Sequence, residues 1–222
     1  MKVTLEAKPK PLEIDPQLTT VMVIDMQNAT TSNDGMFNLS GLDVSKNQKT
    51  IGPINRLTAA SRANGRKVLY VVHQYSPDFR EIGDPDSVLW VRSGTVVSYR
   101  QHPEWREKLL IRGTWGAEIV DDLKPEEDDI VVEKSRYSAF WGTNLDVILR
   151  TLNTKYLVMV GVQTNICVEA TLRDALNYGY FPILISDAVA ASSPEMQEAT
   201  ITSVISVYGW VTTSQNLVEA IK

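Results

Sequence analysis

A single cysteine, Cys167, and two histidines, His73 and His102, are all that 222 residues offer of thiol and imidazole metal ligands. One thiol excludes an internal disulfide, so cysteine usage fits a reducing compartment. The histidines are separated by a long polar stretch and show no Asp-x-His pattern, so neither a metal nor another cofactor is expected. No apolar run approaches membrane-spanning length. Met1 to Pro16 is polar with scattered prolines and lacks the apolar core of a signal peptide. Positive charge is not in excess: 22 Lys and Arg against 27 Asp and Glu leave a net charge of −5, which argues against nucleic acid and acidic membranes as partners. Linkers, internal repeats and low-complexity tracts are missing too. The expectation is a soluble cytoplasmic protein, one domain over residues 1–222. With 43% hydrophobic residues, it is large enough to bury a full core.

What is present is an alternation of strand-like and helix-like segments. Apolar runs at Thr20–Ile24, Lys67–Val72, Asp129–Glu133, Leu157–Val160, Phe181–Ile185 and Gly209–Thr213 have strand length and β character. Helical spacing covers Ile51–Ala63, with Gly65 just past its end, and a stretch from a Thr143 cap to Leu152. It returns from Cys167 to Leu176 and over Glu195–Val207. Residues 30–43 and 73–115 read as loops, the second long enough to be a lid or substrate wall. Strands separated by helices imply an α/β fold: a three-layer, doubly wound, mainly parallel sheet with helices on both faces.

Asp25, Lys134 and Cys167 each follow an apolar run, and in such a sheet the ligand crevice lies at the carboxyl ends of the strands. Thr164 and Asn165 are helix-capping types, which would put Cys167 in a first turn where the dipole favours a thiolate. A thiolate attacks an electrophilic carbon, an ammonium favours the thiolate, and a carboxylate moves the proton. On spacing alone, a structural Asp–Lys ion pair beside a buried cysteine is the simpler reading.

Three motifs change that balance. Val23-Ile-Asp-Met-Gln-Asn28, Val132-Glu-Lys-Ser-Arg-Tyr-Ser-Ala-Phe140 and Gly161-Val-Gln-Thr-Asn-Ile-Cys-Val-Glu-Ala-Thr-Leu-Arg-Asp174 together resemble the isochorismatase-like cysteine hydrolase family. The resemblance runs from about Pro11 to Trp210. It implies a catalytic triad of Asp25, Lys134 and Cys167. It also implies a cis peptide between Val162 and Gln163, and an oxyanion hole built from the N–H groups of Gln163 and Cys167.

Within the family, Ile14–Gln17, Leu39–Val44 and Glu169–Asp174 are most similar to the ureidoacrylate amidohydrolase branch. That likeness puts Glu81, Ser93 and Tyr137 at substrate-binding positions, with His73 and Gly94 where the branch carries asparagines. His73 could equally be a loop residue, and Tyr137 and Trp141 are aromatics of which at least one should wall the pocket. The implied activity is metal-independent cleavage of a C–N bond in a small amide or ureide, ureidoacrylate- or biuret-like, through a thioester acyl-enzyme. Hydrolysis of the isochorismate vinyl ether and a non-catalytic role remain alternatives. The resemblance further suggests a homo-oligomer in which the long loop is partly covered. Of the remaining residues, His102 should lie on the surface, Asp187 in a turn or helix cap, and Glu126–Asp129 in a solvated turn.

Overall fold

The structure is a computed structural model and describes residues 2–221. Its strands are β1 (Val3–Leu5), β2 (Leu12–Ile14), β3 (Thr19–Ile24), β4 (Leu69–His73), β5 (Ile130–Lys134), β6 (Tyr156–Val162), β7 (Phe181–Ala190) and β8 (Trp210–Thr212). β1 and β2 form a small antiparallel pair. The other six make one parallel sheet in the order β5-β4-β3-β6-β7-β8. The chain winds outward from β3 to one edge, then crosses to β6 and winds to the other. The switch point, where such folds bind ligands, therefore lies between β3 and β6.

Every residue of β3, β4 and β6 is buried, because helices cover both faces of the sheet. Side chains alternate accordingly. Val21, Val23, Val158, Val160 and Ile183 pack with Ile54 and Leu57 of helix Ile51–Ala63 and Leu217 of helix Ser214–Ile221. Met22, Ile24, Leu69, Val71, Leu157 and Met159 face the other way, onto Leu145, Leu149, Val168 and Leu172. β5, at an edge, leaves Val131 half exposed.

The doubly wound α/β reading holds, and helix Ile51–Ala63 has the expected bounds. Its end is a Schellman cap: Gly65 at φ 69° donates to Arg62 while Arg66 donates to Ser61. Several local expectations are corrected. The 73–115 stretch is not structureless: it holds helices Val88–Arg92 and Gly94–Gln101 and the 3-10 segment Pro103–Lys108. These enclose an apolar cluster of their own with Tyr75, Phe79, Ile82, Val96, Leu109 and Ile111. Residues 30–43 contain the end of helical turn Asn28–Thr31 and all of Met36–Leu39. The helical span after Glu195 is α over Pro194–Ser203 and π over Val204–Tyr208. The first pair of strands and helix Ser214–Ile221 had no counterpart among the expected elements. Asp187 lies within β7, but its carboxylate accepts from Ser214 N (2.7 Å) and Oγ (2.6 Å), tying down the start of that last helix.

Candidate active site

The cluster at the switch point begins with backbone geometry. Continued extension past Ile24 would carry the next side chain to the Val21–Val23 face. Instead Asp25 takes φ 53°, a left-handed conformation that aspartate tolerates better than most residues, and its carboxylate reaches Lys134. Across the ladder, Gly161 pairs with Ile24 and has φ 112°. A Cβ there would meet the Ile24 carbonyl oxygen at 2.0 Å, so only glycine lets the end of β6 lie this close to β3. His73 and Lys134 are neighbours across β4 and β5 and continue the inward rows of Leu69, Val71 and Val132.

Lys134 is the hub of the cluster. Its Nζ lies 2.8 Å from Asp25 Oδ2, 3.0 Å from His73 Nδ1, 3.1 Å from the Arg136 carbonyl and 3.3 Å from Cys167 Sγ. The side chains of Asp25, His73, Lys134 and Cys167 are all buried, whereas that of Arg136 is partly exposed. Asp25, His73 and Cys167 offer ligand-type atoms within 4.8 Å of one another. The ammonium is within 3.3 Å of each, so the cation this trio already serves is Lys134 itself.

The electrostatics follow from burial. Burial pushes the Asp25 carboxyl up, against the opposing pull of Lys134. It pulls Lys134 down, but the Asp25 charge, Cys167 and the hydrogen bonds to both outweigh it, and the ammonium is held more firmly than usual. Burial pushes the Cys167 thiol up and the adjacent carboxylate adds to the effect; Lys134 offsets only part of it. The expectation of a depressed thiol is thus corrected: burial and Asp25 together hold Cys167 toward its protonated form. Cys167 also lies in a π-helical turn, Thr164–Val168, with no side-chain cap, ahead of helix Glu169–Asn177. Burial likewise drives His73 well below the usual imidazole value, helped by the charges of Lys134 and Arg136.

Above this floor is a cavity of about 150 Å³ lined by Asp25, His73, Ser93, Tyr137, Gln163 and Cys167 together with two threonines and mainly apolar residues. A cavity of that order elsewhere accepts a molecule the size of benzene. The peptide between Val162 and Gln163 is cis. Ser93 donates to Tyr75 Oη at 3.2 Å, and Tyr137 is 43% exposed at the mouth. Gly94 also lines the cavity. Two expected pocket residues stand elsewhere. Trp141 is 70% exposed and borders a separate surface hollow with Phe140 and Tyr178, because the chain turns outward after Phe140. Glu81 does not line the cavity: its carboxylate accepts from Ser76 N and Oγ, and its carbonyl accepts from Arg136.

Sequence reasoning missed Met36, Phe37, Leu110 and Ile166 as lining residues, since nothing in an isolated apolar residue distinguishes a pocket wall from core. It also missed Gln27. Gln27 Oε1 accepts from His73 N (2.8 Å), and its Nε2 donates to the carbonyls of His73 (3.0 Å) and Ala117 (2.7 Å). Its place two residues after Asp25, within the first motif, was the available signal.

The isochorismatase domain model matches residues 19–216, from β3 through β8 and all four members of the cluster. The chain belongs to the isochorismatase family. Among its relatives is ureidoacrylate amidohydrolase RutB of Agrobacterium fabrum, 41% identical over 95% of this chain and 92% of that protein. The RutB of Klebsiella pneumoniae is 39% identical over 99% and 93%. Among solved structures, a cysteine hydrolase from Pseudomonas syringae superposes with a TM-score of 0.77 at 28% identity, covering 94% of each chain. N-carbamoylsarcosine amidase from Thermoplasma acidophilum does so with 0.65 at 28% identity, covering 88% of this chain and 96% of that one. No helix among the described residues is long and apolar enough to cross a membrane.

Proposed function

We propose that this isochorismatase-family protein is a cysteine amidohydrolase that cleaves a C–N bond in a small amide or ureide. The observation that carries the reading is the Lys134 ammonium in contact with both Asp25 Oδ2 and Cys167 Sγ beneath a small cavity. The named activities of the relatives and of the amidase neighbour support the same class.

The reaction we infer starts from the thiol. As Sγ bonds to the substrate carbonyl carbon, its proton passes to Asp25, whose raised affinity for protons suits a general base. The N–H groups of Gln163 and Cys167 receive the negative charge that develops on the carbonyl oxygen. Asp25 then returns the proton to the departing nitrogen as the C–N bond breaks, leaving a thioester on Cys167. Water attacks the thioester and gives a proton to Asp25; the C–S bond breaks and the thiol is restored. Lys134 keeps its proton throughout and stabilises the carboxylate and the transient sulfur charge.

The test is ammonia release from a panel of small ureides and amides, ureidoacrylate and biuret among them, run beside isochorismate. Release from at least one ureide or amide by the intact protein, absent in Cys167→Ala, is the expected result. Turnover of isochorismate alone would replace this reading.

A further inference from the structure

β5, which carries Lys134, and β6, which leads to Cys167, are not neighbours in the sheet, so no ladder fixes the ammonium against the sulfur. Residues 135–141, which follow Lys134, belong to neither helix nor strand. Buried backbone in such a segment must find side-chain partners, and here they are hydroxyls. Thr143 Oγ1 donates to the Ala139 carbonyl at 2.6 Å, and Ala139 N donates to Thr171 Oγ1 at 3.0 Å. Thr171 is completely buried in helix Glu169–Asn177, and the same hydroxyl donates to the Cys167 carbonyl at 2.6 Å. One oxygen therefore spans the two segments, accepting from the first and donating to the second. The first segment also holds the ammonium, since Lys134 Nζ donates to the carbonyl of Arg136 at 3.1 Å. Ala139 and Phe140 share an apolar cluster with Val168 and Leu172, but apolar packing has no direction. The hydroxyl supplies one.

We propose that Thr171 is a positioning residue: its hydroxyl sets residues 135–141 against the Cys167 turn and so fixes the 3.3 Å approach of Lys134 Nζ to the sulfur. Its consequence for turnover rests on the amidohydrolase reading, whereas its geometry can be read on the thiol alone. A valine at this place keeps the shape of threonine but leaves the Ala139 N–H buried and unpaired. The segment then shifts to find that group a partner, and the Arg136 carbonyl and the ammonium move with it. Serine keeps both the donor and the acceptor. Thr143 provides the contrast, because it holds the other side of Ala139 without touching the Cys167 turn. Thr171 does not line the cavity, so its loss acts on the chemical step more than on substrate binding.

The test compares Thr171→Val, Thr171→Ser and Thr143→Val in the full chain, with folding followed by circular dichroism. Thr171→Ala, a better helix former, takes the place of Thr171→Val if the valine variant does not fold. The titratable groups facing Cys167 are Asp25, His73, Lys134 and Tyr137, and of these only Lys134 brings a positive charge that favours the thiolate. Alkylation of Cys167 by iodoacetamide should therefore need a pH about one unit higher in Thr171→Val than in the parent, the low end of what a close opposite charge contributes. With the ureide hydrolysed best, kcat should fall about a hundredfold and KM should change little. Thr171→Ser should match the parent in both measurements, and Thr143→Val should lose stability but keep both. A Thr171→Val profile that coincides with the parent's, a Thr171→Ser variant as impaired as Thr171→Val, or an equal shift in Thr143→Val would overturn the proposal and leave the amidohydrolase reading standing. A shifted alkylation profile in a protein that hydrolyses no ureide or amide would remove that reading and keep the role of Thr171.

Discussion

Asp25 and Lys134 form an ion pair 2.8 Å long in which both side chains are buried. Such a pair is costly to bury and costlier to break, since removing one member strands the other. Lys134→Met should therefore lower stability by about 3–5 kcal/mol, while Asp25→Asn combined with Lys134→Met should recover part of the loss. Chemical denaturation of the single and double variants measures this. A single variant as stable as the parent would mean that the two groups are not paired in the folded protein.

The thiol should be reluctant to ionise. Alkylation of Cys167 by iodoacetamide should rise with pH only above the ordinary thiol midpoint of about 8.5, because burial and Asp25 both oppose the thiolate. Asp25→Asn should move the profile to lower pH and Lys134→Met to higher pH. The rate is read against pH for the three proteins, with folding followed by circular dichroism. Profiles that coincide would place both charges away from the sulfur.

The dependence of kcat/KM on pH should carry an acid limb set by Asp25, which must be ionised to take the thiol proton. Its carboxyl is raised, so activity should fall as pH drops through a value above the ordinary carboxylate range. His73 is held neutral and should add no limb near pH 6.5. A limb at that pH that disappears in His73→Gln would show that the imidazole titrates in the working range.

Gly161→Ala should be severe for a residue with no chemistry of its own. The new methyl group would meet the Ile24 carbonyl, and the φ of 112° strains any side chain, so a loss of about 3 kcal/mol is expected. Activity should fall further than stability, since β3 and β6 carry Asp25 and Cys167. Thermal melts and turnover of the soluble variant provide the comparison.

The sheet was legible in the sequence because buried parallel strands are unbroken apolar runs, as at Thr19–Ile24 and Tyr156–Val162. The meeting of Asp25, Lys134 and Cys167 was legible from their strand-end placement and the three motifs. What escaped depends on tertiary contact. The helices of residues 88–101 are short, and their cluster around Tyr75 and Ile111 is assembled from distant parts of the chain. Trp141 lies one residue beyond Phe140, and a single turn of the backbone decides which of two adjacent aromatics faces inward. The thiol's protonation was misjudged because sequence position suggests a helix first turn but not the completeness of burial.

The central claim, that Cys167 is the nucleophile in a C–N hydrolysis, is tested most directly by trapping. The protein is mixed with the ureide it hydrolyses best, quenched in acid during turnover, digested and examined by mass spectrometry. A substrate-derived acyl group on the peptide containing Cys167, labile to hydroxylamine and absent in Cys167→Ala, is the predicted result. Sustained turnover by Cys167→Ala at the rate of the intact protein, with no adduct on the cysteine peptide, would contradict the account.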